Sequence, residues 1–376
     1  MDIEQEQMLQ SVQRFCNMKI LPFARKIDEE NEFPSSLWKE MGEMGLLGIC
    51  APTIYGGLDE SYLNHCKVMI KISQASASVG LSYIAHSNLC INQINRFGTT
   101  SQKNQFLPQL ISGEHIGAIA ISEPQSGSDA ISMQVNAFYN GSKYVLSGEK
   151  CWITNGPDAN LVIVYAKTEP QSKAKGITAF LVPTHLPGFR RGTKIDKLGM
   201  RGSNTCSLYF DHLEIGPEYI LGQLNQGIHV LMSGLDIERV LLSAGPVGIQ
   251  KAVLNTVIDY AKSRKQFNTR LCDFQFIQGK IADIYTRLQS SESFLYEVAK
   301  QADHGQLSAE KAASVYLHCS ENGVQSALDG IQILGGNGYT NDYDVGRFLR
   351  DAKLYDIGGG TTEIRRLIIA RALCKD

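Results

Sequence analysis

AFYNGSKYVLSG (137–148), LVIVYAKT (161–168), GITAFLVP (176–183) and CSLYFDHLEI (206–215) are short runs, apolar or alternating, broken by Asn-Gly, Pro and Lys-Gly turns. Alternation at period two, rich in β-branched and aromatic residues, is what a half-buried strand requires, and Asn-Gly suits a tight hairpin. The segment from about Ala120 to Gly222 therefore reads as antiparallel β. On either side the apolar period lengthens to three and four residues. Stops fall at Pro34-Ser35, Gly56-Gly57 and Thr99-Thr100 before it, and at GQLSAEKA (305–312), GGNGYTND (335–342) and IGGGTT (357–362) after it. The order helices, sheet, helices predicts a mainly α chain with a central β domain, in segments 1–119, 120–222 and 223–376. Such segregation argues against βαβ units, and so against a Rossmann-type nucleotide site.

Composition narrows the function classes. At 376 residues, 43% hydrophobic and 20% charged, the chain exceeds one ordinary core and gives no case for disorder. A formal charge of -2 supplies no basic field for nucleic acid or anionic lipid. The cysteines form no CxxC pair and the histidines no HExxH pattern, so buried thiols and no metal site are expected. No uninterrupted apolar run reaches membrane-spanning length, and MDIEQEQMLQ lacks both a signal-peptide core and an Arg-rich transit pattern. The expectation is a chain without membrane insertion, either cytoplasmic or already mature.

The strongest local signal is a carboxylate in an apolar stripe. In GIHVLMSGLDIERVLLSAGPVG (227–248), Glu238 is flanked at helical spacing by Gly234, Leu235, Leu241 and Leu242, with Leu231 and Gly245 extending the face. A desolvated Glu rises above its reference of roughly 4.3 toward the range useful to a general base. The glycines are expected to leave room beside it. The plainer reading is a buried ion pair with Arg239, next to Asp236, and on sequence alone that reading carries more weight.

Other segments are weaker. AISEPQSGSD (120–129) clusters Ser, Gly and Asp where backbone N–H groups can approach a phosphate or a ring edge, or simply turn. Trp152, Ile153 and Thr154 offer an aromatic face beside a hydroxyl, although a strand tryptophan is usually core. Gly358, Gly359 and Gly360 precede Thr361 or Thr362, either of which can cap a helix with Glu363 in its first turn.

AISEPQSGSDAIS (120–132), together with Gln332, Gly335, Gly336, Gly338, Tyr339, Asp342, Arg347 and Asp351, resembles the two signatures of the acyl-CoA dehydrogenase family. GLSYIAHSNLCINQI (80–94), WITNGPDA (152–159), KLGMRGSNTC (197–206) and LMSGLDIERV (231–240) carry the resemblance over essentially the whole chain. It implies an N-terminal helical domain, a central antiparallel β-barrel and a C-terminal four-helix bundle. It further implies an FAD enzyme acting on acyl-CoA, a homotetramer, and transfer of electrons to electron-transferring flavoprotein. By position, Ile119, Ala120, Ile121, Ser122, Glu123, Pro124, Gln125, Ser126, Gly127 and Ser128 would line the flavin with Trp152, Ile153 and Thr154. Arg264 and Gln275 of a neighbouring subunit, with Gln332, Ile333, Leu334, Gly335, Gly336, Thr361, Thr362 and Glu363, would complete the site. A guanidinium at Arg264 suits pyrophosphate, though in AKSRKQF it also reads as an exposed helix charge.

The acyl-CoA would pass Ser128, Ala174, Lys175 and His229 toward Asp236, Ile237, Glu238 and Arg239, with Gly359 and Gly360 at the thioester. Most relatives carry their base where this chain has Gly359. The branch acting on short branched acyl groups uses the helix position matched by Glu238, but usually has Tyr where His229 stands. The family implies a mitochondrial matrix location, or the cytoplasm of a bacterium.

Overall fold

Thr99 and Gln102 show how sequence sets the elements. The Thr99 hydroxyl accepts the Gln102 N–H at 3.2 Å and the Gln102 side-chain oxygen accepts the Thr99 N–H at 3.0 Å, a reciprocal cap on helix Thr100–Ile111. Caps of this kind contribute about 1 kcal/mol. The Gln102 amide also donates to the carbonyls of Glu218 and Ile220, each at 2.8 Å, tying this helix to the end of the sheet. The computed structural model describes residues 3–375, so the outermost positions 1, 2 and 376 of the expected segments lie outside it.

Helices occupy the chain from Ile3 to Ile111, including Tyr62–Ala75 and a rod that runs through Ala77–Ile84, a widened π stretch Ala85–Asn92 and Gln93–Phe97. The first strand, β1 (Gly117–Ala120), begins inside the segment expected to be helical. It is followed by β2 (Asn136–Tyr139), β3 (Tyr144–Thr154), β4 (Leu161–Lys167), β5 (Ile177–Pro183), β6 (Phe189–Arg191), β7 (Thr205–Ile215) and β8 (Ile220–Leu221). Their order is β6-β7-β3-β2-β4-β5-β8, with β1 beside β4. Most pairs are antiparallel, but β1 and β2 meet β4 in parallel, so the sheet is mixed.

β4 explains why LVIVYAKT barely alternates. Val162, Val164 and Ala166 enter the core enclosed by the sheet, whereas Leu161, Ile163 and Tyr165 face the helical core, so both faces are covered.

The C-terminal part is built on one helix, Gly227–Ser263, of 37 residues. It packs against Ala309–Leu334, Gln275–Asp303, Val345–Tyr355 and, from the N-terminal part, Tyr62–Ala75. Its length and apolar composition meet the threshold for a membrane span, although 78% of the most apolar window is buried inside the protein, where it serves as a core helix. Gly227 starts it against β5, where a Cβ would stand 2.7 Å from the Thr178 carbonyl carbon. Three regions of the chain converge at the Val345–Tyr355 helix. Arg350 pairs with Asp28, and the buried Asp351 carboxylate accepts the Met200 N–H at 2.6 Å.

Candidate functional site

Glu238 lies on the buried side of the Gly227–Ser263 helix and is 7% exposed. Leu231, Leu241 and Leu242 share its apolar surroundings. Burial pushes its pKa up from 4.5 to about 7, against the pull of the Arg239 and Arg365 guanidiniums. The ion pair anticipated for this turn does form, but between Arg239 and Asp236 at 2.8 Å, which leaves Glu238 out of it. The glycines do not leave open space as expected. A Cβ on Gly234 would fall 1.8 Å from the Gln93 amide nitrogen, and one on Gly245 would fall 2.1 Å from the Tyr355 hydroxyl, so neighbouring side chains already fill both gaps.

Near enough to Glu238 for their charges to act on each other are Arg365 and Tyr316, which hold the loop before the last helix. Thr361 caps Thr362–Leu373 by accepting the Ile364 N–H, which settles the choice between the two threonines. Arg365, 0% exposed, donates to Ser320 Oγ at 2.9 Å and to the carbonyls of Tyr355 and Gly358, and its guanidinium carbon sits 3.5 Å from the Tyr316 ring centroid. Tyr316 also donates to the Gly358 carbonyl at 2.9 Å. These bonds hold Gly359 in a left-handed conformation, φ 68°, which glycine adopts without side-chain strain. A Cβ there would meet Leu242 Cδ1 at 2.9 Å and Tyr316 Cε1 at 3.0 Å. Leu242 is one turn beyond Glu238, so this turn of the helix and the loop position Gly359 lie against each other.

The 120–129 and 152–154 segments divide by direction. Ala120 and Ile153 point into the core of the sheet, Glu123 and Ser126 are buried, and Ile119, Ile121, Ser122 and Thr154 are half-buried. Pro124, Gln125, Gly127 and Ser128 are exposed, and a Cβ on Gly127 would touch nothing within 4 Å. Trp152 is 60% exposed at a bulge in β3, with φ 57°. An outward indole beside an open, polar loop is a surface that fits a planar ring with hydrogen-bonding edges.

Ala174 and Lys175 lie in a turn that packs against both the 130–132 turn and the Gly227–Ser263 helix. His229, exposed in the first turns of that helix, meets the Phe97 ring edge-on at 5.8 Å. Asp236 is half-buried and Ile237 is buried.

Arg264, Gln275, Gln332, Gly335 and Gly336 are exposed at the far end of the same helix and on the elements beside it, while Ile333 and Leu334 are core. Tyr260 links that end to the 334–337 turn, accepting from Asn337 at 2.8 Å. At about 1.5 Å per residue, Arg264 is roughly 40 Å along the helix from Glu238.

Three family models together match most of the chain: the acyl-CoA dehydrogenase N-terminal domain over residues 2–114, the middle domain over 118–213 and the C-terminal domain over 225–374. The chain belongs to the acyl-CoA dehydrogenase family. It is an FAD-dependent oxidoreductase. It is similar to the mitochondrial isovaleryl-CoA dehydrogenase of Solanum tuberosum, 54% identical over 100% of this chain and 92% of that one. To the mitochondrial 2-methylacyl-CoA dehydrogenase of the same plant it is 52% identical over the same shares. Among solved structures it is similar to a chain in a structure of the electron transferring flavoprotein of Acidaminococcus fermentans (TM-score 0.98, 33% identity, 100% and 99% covered). Butyryl-CoA dehydrogenase from Megasphaera elsdenii gives a TM-score of 0.97 at 32% identity, again with 100% and 99% covered. PigA with FAD and proline gives 0.96 at 30%, with 99% and 98% covered.

Three residues of this acyl-CoA dehydrogenase escaped the sequence reading. Arg365 looked like one more charge in a C-terminal helix, and Tyr165, fully buried with an unpartnered hydroxyl, was one letter in an apolar run. Lys150, 0% exposed, stands two residues before Trp152 on β3; a lysine between Glu149 and Cys151 in a strand gave no signal of burial.

Proposed function

We propose that this acyl-CoA dehydrogenase oxidises isovaleryl-CoA to 3-methylcrotonyl-CoA, a step of leucine breakdown, with Glu238 as the base that removes the α-proton. The observation that carries the base assignment is a carboxyl group 7% exposed, without a hydrogen-bond or ion-pair partner among the described residues, and pushed to about 7 by burial. Such a group is deprotonated in a usable fraction near neutral pH and gains basicity from its apolar surroundings. Its helix fixes it at one wall, and the Gly358–Gly360 loop faces it. That loop would present a backbone N–H to the thioester carbonyl, stabilising the enolate that develops as the α-proton leaves. FAD, when bound, supplies the acceptor for the β-hydrogen as hydride.

The exposed Pro124, Gln125, Gly127, Ser128 and Trp152 would hold the flavin ring, with Ile119 to Ser122, Ser126, Ile153 and Thr154 as their support. By the family resemblance, Arg264 and Gln275 would come from a neighbouring subunit to the FAD, and Gln332 to Gly336 with Thr361 to Glu363 would complete that site. Phe267, Phe276 and Tyr339, 91%, 93% and 92% exposed near Arg264, supply apolar area for a subunit contact. Family members oligomerise, and a homotetramer is the assembly proposed here. Ser128, Ala174, Lys175 and His229 would follow the CoA portion. Electron-transferring flavoprotein is the proposed acceptor and the mitochondrial matrix, or a bacterial cytoplasm, the proposed location.

A second reading, dehydrogenation of a 2-methyl-branched acyl-CoA, is favoured by the 2-methylacyl relative and by His229 in place of the tyrosine usual in the isovaleryl branch. Anaerobic bleaching of the flavin by isovaleryl-, 2-methylbutyryl- and butyryl-CoA separates the two. Isovaleryl-CoA is expected to bleach fastest; faster bleaching by 2-methylbutyryl-CoA establishes the second reading, and no bleaching by any of them overturns both.

A further inference from the structure

Glu123 and Lys150 are oppositely charged, 1% and 0% exposed, and 2.8 Å apart. Taking two charges out of water costs about as much as their attraction returns, so such a pair is a weak device for stability and a better one for fixing a unique arrangement. Its remaining bonds show what is being arranged. Lys150 Nζ donates to the Ile121 carbonyl at 2.9 Å, and the Cys151 N–H donates to the Ser122 carbonyl at 2.9 Å, laying residues 121–122 along β3. The Glu123 carboxylate accepts from the N–H groups of Gln134 and Val135 at 2.6 and 3.0 Å and from the Gln125 amide at 2.9 Å, closing residues 123–135 into a loop. Glu123 and Ser126 exchange backbone hydrogen bonds in both directions at 3.0 Å, so the exposed Pro124 and Gln125 leave the buried pair as a tight turn, with the exposed Gly127 and Ser128 following the buried Ser126. On the other side of the pair, Trp152 is two residues from Lys150 on β3 and turns outward through its left-handed backbone.

We propose that the Glu123–Lys150 pair is a positioning device, fixing the loop tip at Gln125–Ser128 relative to Trp152–Thr154 so that both meet one flavin in a set geometry. The inference rests on the reading of these two segments as the flavin site. Glu123, expected from the resemblance to line the flavin, is instead buried with Lys150 beneath the surfaces that would, so its role here is to position them.

The test uses the full-length enzyme saturated with FAD below its melting temperature. In Lys150→Met the loop loses its tie to β3. FAD affinity should fall about ten-fold, the loss of roughly one hydrogen-bonded contact. The visible flavin band should shift and flavin reduction by isovaleryl-CoA should slow by up to about 10²-fold, the cost of a small misplacement. The double variant Glu123→Gln with Lys150→Met removes both charges; it should regain thermal stability but not the wild-type spectrum or affinity, because the Ile121 carbonyl remains untied. Wild-type affinity, spectrum and reduction rate in a folded variant would overturn the proposal. Hydrogen exchange on the wild-type protein tests it without substitution: the amides of Gln134 and Val135 should be protected before FAD is added, and free exchange until FAD binds would equally overturn it. Failure of the flavin reading looks different, since wild-type protein would then take up no FAD, or Trp152→Phe would leave the bound flavin's spectrum unchanged.

Discussion

Replacing Glu238 by Gln tests burial and catalysis in one protein. The carboxyl titrates near 4.5 in an unfolded chain and at about 7 in the folded one. Below pH 4.5 it is protonated in both states and adds no penalty. Between 4.5 and about 7 the unfolded chain releases the proton first, so stability declines as pH rises; above about 7 the loss is complete. At ~1.4 kcal/mol per unit the interval amounts to about 3 kcal/mol. Glu238→Gln abolishes this titration while keeping size. The variant apoprotein should therefore gain up to about 3 kcal/mol on wild type between pH 4.5 and pH 8, seen as thermal midpoints that diverge by a few degrees with rising pH. In the FAD-loaded enzyme, anaerobic flavin reduction by isovaleryl-CoA should rise with pH through about 7 in wild type, whereas the variant should be flat and slower by ~10² to 10⁴. Melting curves that stay parallel across pH would remove the argument from burial, and an unslowed variant would remove Glu238 from the chemistry.

Arg365→Met deletes one of the two cations that hold the Glu238 pKa down, so the pH–rate profile should move to higher pH. It also removes a donor from the Tyr355 carbonyl, costing about 1–3 kcal/mol measurable by denaturation, whereas the Gly358 carbonyl keeps the Tyr316 hydroxyl. Gly359→Ala should destabilise by about 1–3 kcal/mol, combining left-handed strain with the clash against Leu242 and Tyr316; an unchanged midpoint would mean the loop is free to move. Moving the base, as Glu238→Gly with Gly359→Glu, should restore measurable flavin reduction relative to Glu238→Gly alone, although far below wild type because of the same strain; no recovery would count against the two positions bordering one space. Arg264→Gln should weaken FAD binding without slowing reduction at saturating FAD, and an effect on the rate alone would count against an anchoring role.

What the sequence made legible follows the range of the forces involved. Period two against period 3.6 is local, so the helices, sheet, helices order could be read along the chain, and the Thr99–Gln102 cap starts the last N-terminal helix with residues three apart. Glu238 was legible for the same reason, since its apolar neighbours lie within two helical turns. Whether Glu238 itself pairs with Arg239 was not: both arrangements have the same local residues, and only packing shows that Arg239 turns to Asp236 while Tyr316, far along the chain, lies near Glu238 and beside Gly359. The glycines at 234 and 245 misled because a missing Cβ marks close approach, and sequence does not say whether a ligand or a protein side chain makes it. Here Gln93 and Tyr355 do. Lys150 was hidden most completely. Its partner Glu123 is 27 residues away, and a lysine within a strand pattern reads as a solvated edge until a loop is seen to fold over it. A buried charge is worth its desolvation only where several bonds converge on it, and that convergence is a property of the folded loop rather than of any window of the chain.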